Sequence, residues 1–187
     1  MSRTPGDGRQ ATGLIGLGLL GSAIARRLLE RGLEVIGLDI NPGRAPELGM
    51  ETADSPAQLA ERVERVVLCL PDSDAVEEVC GGPGGLLSAT ASRLELVIDC
   101  TTGDPDRSAA LAGRLDGAGI SFVEAEVSGS SELMLAGEAA LLVGAEPGGF
   151  EAAAELLDAL SPVVFHLGPV GAGAKMKLVS NLAVGLN

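Results

Sequence analysis

The sequence predicts an α/β fold built on a doubly wound, mostly parallel sheet, and three observations carry that expectation. Short apolar runs alternate with amphipathic segments from residue 12 to residue 170, the pattern of strands joined by crossover helices. Helical segments begin on a capping Ser or Asp followed by Pro, at Ser55-Pro56 and Asp104-Pro105; the capping side chain accepts an amide hydrogen bond and the proline supplies a preset φ. A glycine-rich turn, GLGLLG, follows the first apolar run directly and opens the first helical one.

The elements follow in order. TGLIGLG reads as the first strand. Leu20, Ile24, Leu28 and Leu29 then recur at helical spacing, with Arg26, Arg27, Glu30 and Arg31 between them and Gly32 as the stop. LEVIGLD is the second strand, SPAQLAERV a capped helix, and RVVLCLP a strand closed by Pro71. LELVIDC is the next strand, and DPDRSAALAGRLDGAG a helix that ends at glycine. ISFVEAEV, AALLVGA, the helix GGFEAAAELLDAL and the strand PVVFHLG complete the alternation, and GAGAKMKLVSNLAVGLN opens a further long helix. No repeat period appears, and no stretch is biased enough to be a long linker. The expected organisation is a disordered tail over 1–11, one domain over 12–170, and the start of a helix over 171–187.

Composition narrows the function classes. With 187 residues and 46% hydrophobic content the chain can bury one sizeable core. A net charge of −13 repels a phosphate backbone, which argues against nucleic-acid binding and requires local donors for any anionic ligand. Cys69, Cys80 and Cys100 form no CxxC pair and sit in apolar surroundings, so they read as packing residues in a reducing compartment. MSRTPGDGRQA has no apolar core and is not a secretory signal. Leu14–Ala25, the most apolar run, falls short of the roughly 20 residues that span a bilayer. The expectation is a soluble, cytoplasmic protein with no membrane partner.

The glycine-rich turn carries the first chemistry. Gly16 permits a tight turn, Gly18 lets the backbone approach a pyrophosphate, and Gly21 allows the helix to pack on the strand. Leu19 and Leu20 lie at the helix N-terminus that would face the phosphates. Asp39 ends the second strand about 20 residues on, which completes the context of a Rossmann-type dinucleotide site. A carboxylate there accepts hydrogen bonds from adenosine ribose hydroxyls, whereas a 2′-phosphate meets like charge, so NAD is favoured over NADP. Arg44, close by in sequence, is the feature that weighs toward NADP.

The closing helix carries the second. Lys177 and Asn181 are four apart and share a face, while Lys175 lies about 200° from Lys177 around the helix and points elsewhere. By spacing alone such a lysine reads more readily as a snorkelling surface residue. Ser128 and Gly129, in EAEVSGSSE, offer a hydroxyl and backbone amides at the carboxyl end of a strand, where ligands of open α/β sheets bind; a plain polar loop is the competing reading. His166, the sole histidine, has no partner motif and reads as a strand-end structural residue. DSDAVEE and RVER show no divalent-cation spacing and read as solvated faces.

Taken together, IGLGLLGSAIA, LPDSDAVEEV, IDCTTGDP, VSGS and GAGAKMKLVSN, in this order, resemble the β-hydroxyacid dehydrogenase family of the 3-hydroxyisobutyrate dehydrogenase and tartronate semialdehyde reductase type. The resemblance covers almost the whole chain after the tail. It implies an NAD-dependent oxidoreductase acting on a small β-hydroxy acid. Lys177 would be the catalytic acid/base, Asn181 would place lysine and substrate, and Ser128 and Gly129 would bind the substrate. Leu70, Pro71 and Thr102 would line the cofactor. It also implies that the last helix bridges to an all-helical C-terminal domain, here absent, and that the full-length form is a homo-oligomer. The chain is then expected to be truncated and inactive alone; the alternative is a non-catalytic module that binds nicotinamide nucleotides. Glu126 and Ser130 depart from the family's usual DAPVSGG, and Ser180 stands where asparagine or histidine is usual.

Overall fold

The computed structural model describes residues 11–185. The elements run β1 (Thr12–Ile15), α1 (Leu19–Glu30), β2 (Val35–Leu38), α2 (Arg44–Glu47), β3 (Glu51–Thr52), α3 (Pro56–Arg62), β4 (Arg65–Leu68) and α4 (Ser73–Gly81). After a 3-10 turn over Leu86–Ser88 come β5 (Leu96–Asp99), α5 (Pro105–Asp116), β6 (Ser121–Ser128), α6 (Ser131–Ala136), β7 (Ala140–Gly144), α7 (Pro147–Leu160), β8 (Val163–Gly168) and α8 (Ala172–Gly185). They form one sheet in the order β3-β2-β1-β4-β5-β6-β7-β8.

Strands β1 to β6 pair in parallel, with the chain winding outward from β1 to β3 and then returning to β4. This reversal sets a topological switch point between β1 and β4, the crevice where open α/β sheets bind ligands. The strands are near-continuous apolar runs because both faces are covered. In β5, Leu96 and Ile98 enter the core beneath α1 and α7, while Val97 enters the opposite core with Leu59, Val76 and Leu111.

The helix starts foreseen from sequence are present: Ser55 accepts from the Gln58 amide, and Asp104 from those of Asp106 and Arg107. Asp72 caps α4 in the same way, so part of the acidic run after β4 is a helix start.

Three features went beyond the sequence reading. Ala11, expected in the tail, packs against the apolar cluster of Leu59 and Val97; residues 1–10 of that tail lie outside the described residues. EAEVSGSSE, weighed as a polar loop, continues β6 to Ser128 and then enters α6, whose Ser130 cap accepts from the Leu133 amide. The stretch from β6 to β7 is too short for a parallel crossover, which needs about a dozen residues or more. It turns back at Gly137, in the left-handed region at φ 73°, and β7 pairs antiparallel with β6.

That pairing has a consequence for the site. The register with β5 stops at Asp99↔Glu124, whereas the register with β7 runs from Glu124 to Ser128. The last residues of β6 therefore project past the neighbouring strand at the carboxyl edge of the parallel sheet.

Candidate active site

The glycine-rich turn separates close packing from open space. Gly16 has φ 92°, and a Cβ there would lie 2.1 Å from the Cys69 carbonyl oxygen. A Cβ on Gly21 would lie 2.0 Å from the Gly16 carbonyl oxygen. At Gly18 a Cβ would meet nothing within 4 Å, so this bare backbone faces outward. Helix α1 starts immediately after it, with no acidic residue in its first turn and no side-chain cap. Its leading amides have no intrahelical partner and carry the positive end of the helix dipole. An exposed Leu19 leads a half-buried Leu20 along the rim. A turn that leaves amides uncapped at a bare glycine fits a pyrophosphate.

The loops after β2, β4 and β5 converge on this turn. The Asp39 carboxylate, just past β2, accepts from the Leu17 amide at 2.6 Å and the Asn41 amide at 2.8 Å. Arg44 donates to the Leu17 carbonyl through Nε at 3.2 Å and Nη2 at 3.0 Å, and the Ser22 hydroxyl donates to the same oxygen at 2.8 Å. Asp39 and Arg44 thus hold the two successive peptide groups that flank the Leu17 Cα in the turn. Leu70 borders Gly16, with its Cδ2 3.1 Å from the position of a Gly16 Cβ. The Leu70 amide donates to the Thr101 hydroxyl at 3.0 Å, which ties the loop carrying Leu70 and the exposed Pro71 to the loop carrying Thr102.

On the other side stand the substrate candidates. Ser128 ends β6 half-buried, and exposed Gly129 follows at φ 147°, a conformation that favours glycine. Helix α8 brings Lys177 to this strand end, where its Nζ donates to the Val127 carbonyl at 2.7 Å. Lys177 is half-buried, whereas Lys175 is exposed and acts on Glu124 instead. Asn181 lies one turn beyond Lys177 and is exposed. The structure therefore sets the Lys177 amine on the carbonyl of Val127, the residue before Ser128, and leaves the Asn181 side chain in solvent.

Beneath this edge lie three acids the sequence reading did not place in the core. Asp99, Glu124 and Glu126 are 4%, 2% and 1% exposed. Burial pushes Asp99 up to about 7, against hydrogen bonds from Thr101, with Glu124 adding repulsion. Burial likewise pushes Glu126 up to about 7, opposed by the Thr102 hydroxyl, which donates to its Oε2 at 2.8 Å. Glu124 is also raised by burial, opposed by amides at the entry to α8, including that of Gly171 just before it, which donates to its Oε2 at 3.0 Å. The signal lay in F-V-E-A-E-V, where two glutamates two residues apart share one face of a strand.

The remaining candidates are structural. His166 stacks on Phe150 at 4.3 Å, and its Nε2 lies 2.9 Å from the Ala145 carbonyl oxygen. Asp74 and Glu77 of the acidic run bind Arg107. Among the described residues no cluster of three or more His, Cys, Asp or Glu is placed to hold a metal ion, and no helix is long and apolar enough to cross a membrane.

Switch-point topology, bare glycine backbone and strand-end carboxylate together define an NAD(P)-binding domain of Rossmann type. Residues 11–168 match the family described as the NAD binding domain of 6-phosphogluconate dehydrogenase, and the chain belongs to it, within the β-hydroxyacid dehydrogenase family of 3-hydroxyisobutyrate dehydrogenase type. It is 33% identical over 189 residues to the mitochondrial 3-hydroxyisobutyrate dehydrogenase of Mus musculus, covering 100% of this chain and 54% of the relative. Among solved structures, the 3-hydroxyisobutyrate dehydrogenase of Mycobacterium tuberculosis with L-serine superposes at a TM-score of 0.86 and 23% identity, over 94% of this chain and 60% of that one. Psf3 in complex with NADP+ and 2-OPP superposes at 0.85 and 30% identity, over 92% and 62%. The chain spans about half the length of the curated relatives it matches.

Proposed function

We propose that this chain is the cofactor-binding and acid/base-bearing part of an NAD-dependent dehydrogenase or reductase acting on a small β-hydroxy acid. The observation that carries the reading is the Lys177 ammonium, held at the projecting end of β6 beside Ser128, on the same sheet edge as the glycine-rich turn. Gly16, Gly18, Leu19, Leu20 and Gly21 hold the pyrophosphate, Asp39 the adenosine ribose, and Leu70, Pro71 and Thr102 the rest of the dinucleotide. When bound, the nicotinamide gives or accepts a hydride at the substrate's hydroxyl-bearing carbon.

The chain's own residues do the remainder. Lys177 takes the proton of the substrate hydroxyl as the neutral amine in oxidation, and returns it as the ammonium in reduction. One of its three N–H donors is committed to the Val127 carbonyl, which fixes the amine and leaves two for the substrate oxygen. Ser128 and the Gly129 amide receive the substrate carboxylate, and Asn181, exposed one turn further along α8, helps to place the lysine and the substrate. Asp39 supports NAD over NADP because its carboxylate would oppose a 2′-phosphate. Three free cysteines suit a reducing compartment such as the cytoplasm. Exposed Leu178, Val179, Leu182 and Val184 on α8 support contact with further protein, as in a homo-oligomer.

Titration with NAD+ and NADP+, followed by assay of a longer form containing this chain against small hydroxy acids, tests the reading. Binding with turnover supports it. Binding without turnover of any hydroxy acid supports the non-catalytic module instead, and no binding removes both.

A further inference from the structure

We infer that Glu126 is a positioning residue: by accepting the Thr102 hydroxyl it locks the loop after β5 to the end of β6, so that the cofactor-lining loop and the Ser128–Lys177 corner form one body. The inference rests on the cofactor reading above for Thr102.

Two contacts place Glu126 at the joint. Its Oε2 takes the Thr102 hydroxyl at 2.8 Å. The next residue along β6, Val127, offers the carbonyl that receives Lys177. The loop after β5 is tied on its other side as well, because the Thr101 hydroxyl accepts the Leu70 amide and the Thr101 amide donates to Asp99. One chain of hydrogen bonds thus runs from the loop after β4, through Thr101 and Thr102, to Glu126 and the strand that carries Ser128. Sheet pairing cannot do this work, since β5 has already ended opposite Glu124.

The burial of Glu126 argues against a role in stability. It is 1% exposed, its Oε1 has no hydrogen-bond partner, and Glu124 and Asp99 face it with like charge. A buried carboxylate with an unpaired oxygen costs folding free energy, and an apolar residue of similar length is expected to be tolerated at least as well. Thr102 itself is exposed, so losing Glu126 returns its hydroxyl to water, and the Gly103 amide of the same loop, which also bonds the carboxylate, is half-buried.

The test is calorimetric titration of NAD+ into the wild-type chain and T102V, E126M, E126Q and T102V/E126M, with the thermal midpoint of each. T102V and E126M are each expected to bind roughly tenfold more weakly, the cost of one hydrogen bond. The double variant should bind no more weakly than the worse single one. E126Q, which keeps an acceptor oxygen, should stay within about twofold of wild type, and E126M should melt no lower than wild type. Wild-type affinity in E126M or T102V, additive losses in the double variant, or equal damage from E126Q and E126M each overturns the assignment. If E126M does not fold, stability is the role of Glu126 and the assignment fails. A wild-type chain that takes no NAD+ removes the cofactor reading itself, an outcome distinct from wild-type binding with an unaffected E126M.

Discussion

The Lys177 ammonium and the Val127 carbonyl oxygen lie 2.7 Å apart, joining the second turn of α8 to the projecting end of β6. Both ends of this contact are rigid elements, so the amine is aimed by the fold and not by a flexible loop. Under the proposed mechanism its loss removes proton transfer and leaves the dinucleotide site untouched. Lys177→Ala in a longer, active form should lower kcat by about 10²–10⁴, the usual worth of a general acid/base, with NAD+ affinity unchanged. Steady-state kinetics with a parallel NAD+ titration checks it; kcat within a few-fold of wild type would exclude this lysine from the chemistry.

Asp39 and Arg44 grip the same residue of the glycine-rich turn from its two ends, one accepting from the Leu17 amide and one donating to the Leu17 carbonyl. Under the proposed reading the carboxylate opposes a 2′-phosphate and the guanidinium favours one, so their balance sets cofactor choice. D39N keeps an acceptor oxygen for the turn and removes the charge. The ratio of NADP+ to NAD+ affinity should rise by about tenfold in D39N. An unchanged ratio, measured by titrating both cofactors into both proteins, would assign the preference elsewhere.

Local chemistry made much of this legible in the sequence. The Ser55 and Asp104 caps, the three glycines and the strand-end aspartate each declare themselves within a few residues, because capping and tight turns are short-range effects. What stayed hidden depends on which strand lies beside which. Glu124 and Glu126 look like surface residues until β7 is known to fold back against β6 and α8 to cover them. The partner of Lys177 is likewise a backbone carbonyl fifty positions away, which no side-chain pattern announces. Helix α2 and strand β3 escaped because they span only four and two residues, too short for periodicity to register.

Gly18 and Gly21 are the same residue type three positions apart, yet they answer to different constraints. A methyl group on Gly21 lands 2.0 Å from the Gly16 carbonyl oxygen, which is backbone and cannot step aside. A methyl on Gly18 meets open space. Gly21→Ala should destabilise by about 1–3 kcal/mol, as overpacking does. Gly18→Ala should fold with a near-wild-type midpoint and lose NAD+ affinity. Urea unfolding combined with cofactor titration separates the two; a Gly18→Ala variant that binds normally would mean the ligand does not approach the turn at that glycine.

Asp99 makes stability depend on pH with a definite sign. Burial holds its folded-state value up at about 7, against an ordinary 3.8. Below about 4 the carboxyl is protonated folded or unfolded, and its contribution is fully present. Between about 4 and 7 the unfolded chain releases this proton while the native state retains it, so stability falls as pH rises, and above about 7 the loss is complete. Glu124 repels the charged form from the adjacent strand, and the hydrogen bonds from Thr101 only partly offset burial. D99N keeps the oxygen that accepts the Thr101 amide at 2.9 Å and has nothing to titrate. Urea unfolding at pH 5 and pH 8 should therefore show wild type losing more stability than D99N, by on the order of 1 kcal/mol or more. Parallel losses in the two proteins would assign the pH dependence to surface repulsion among the many other acidic groups, and would place Asp99 in its charged form within the fold.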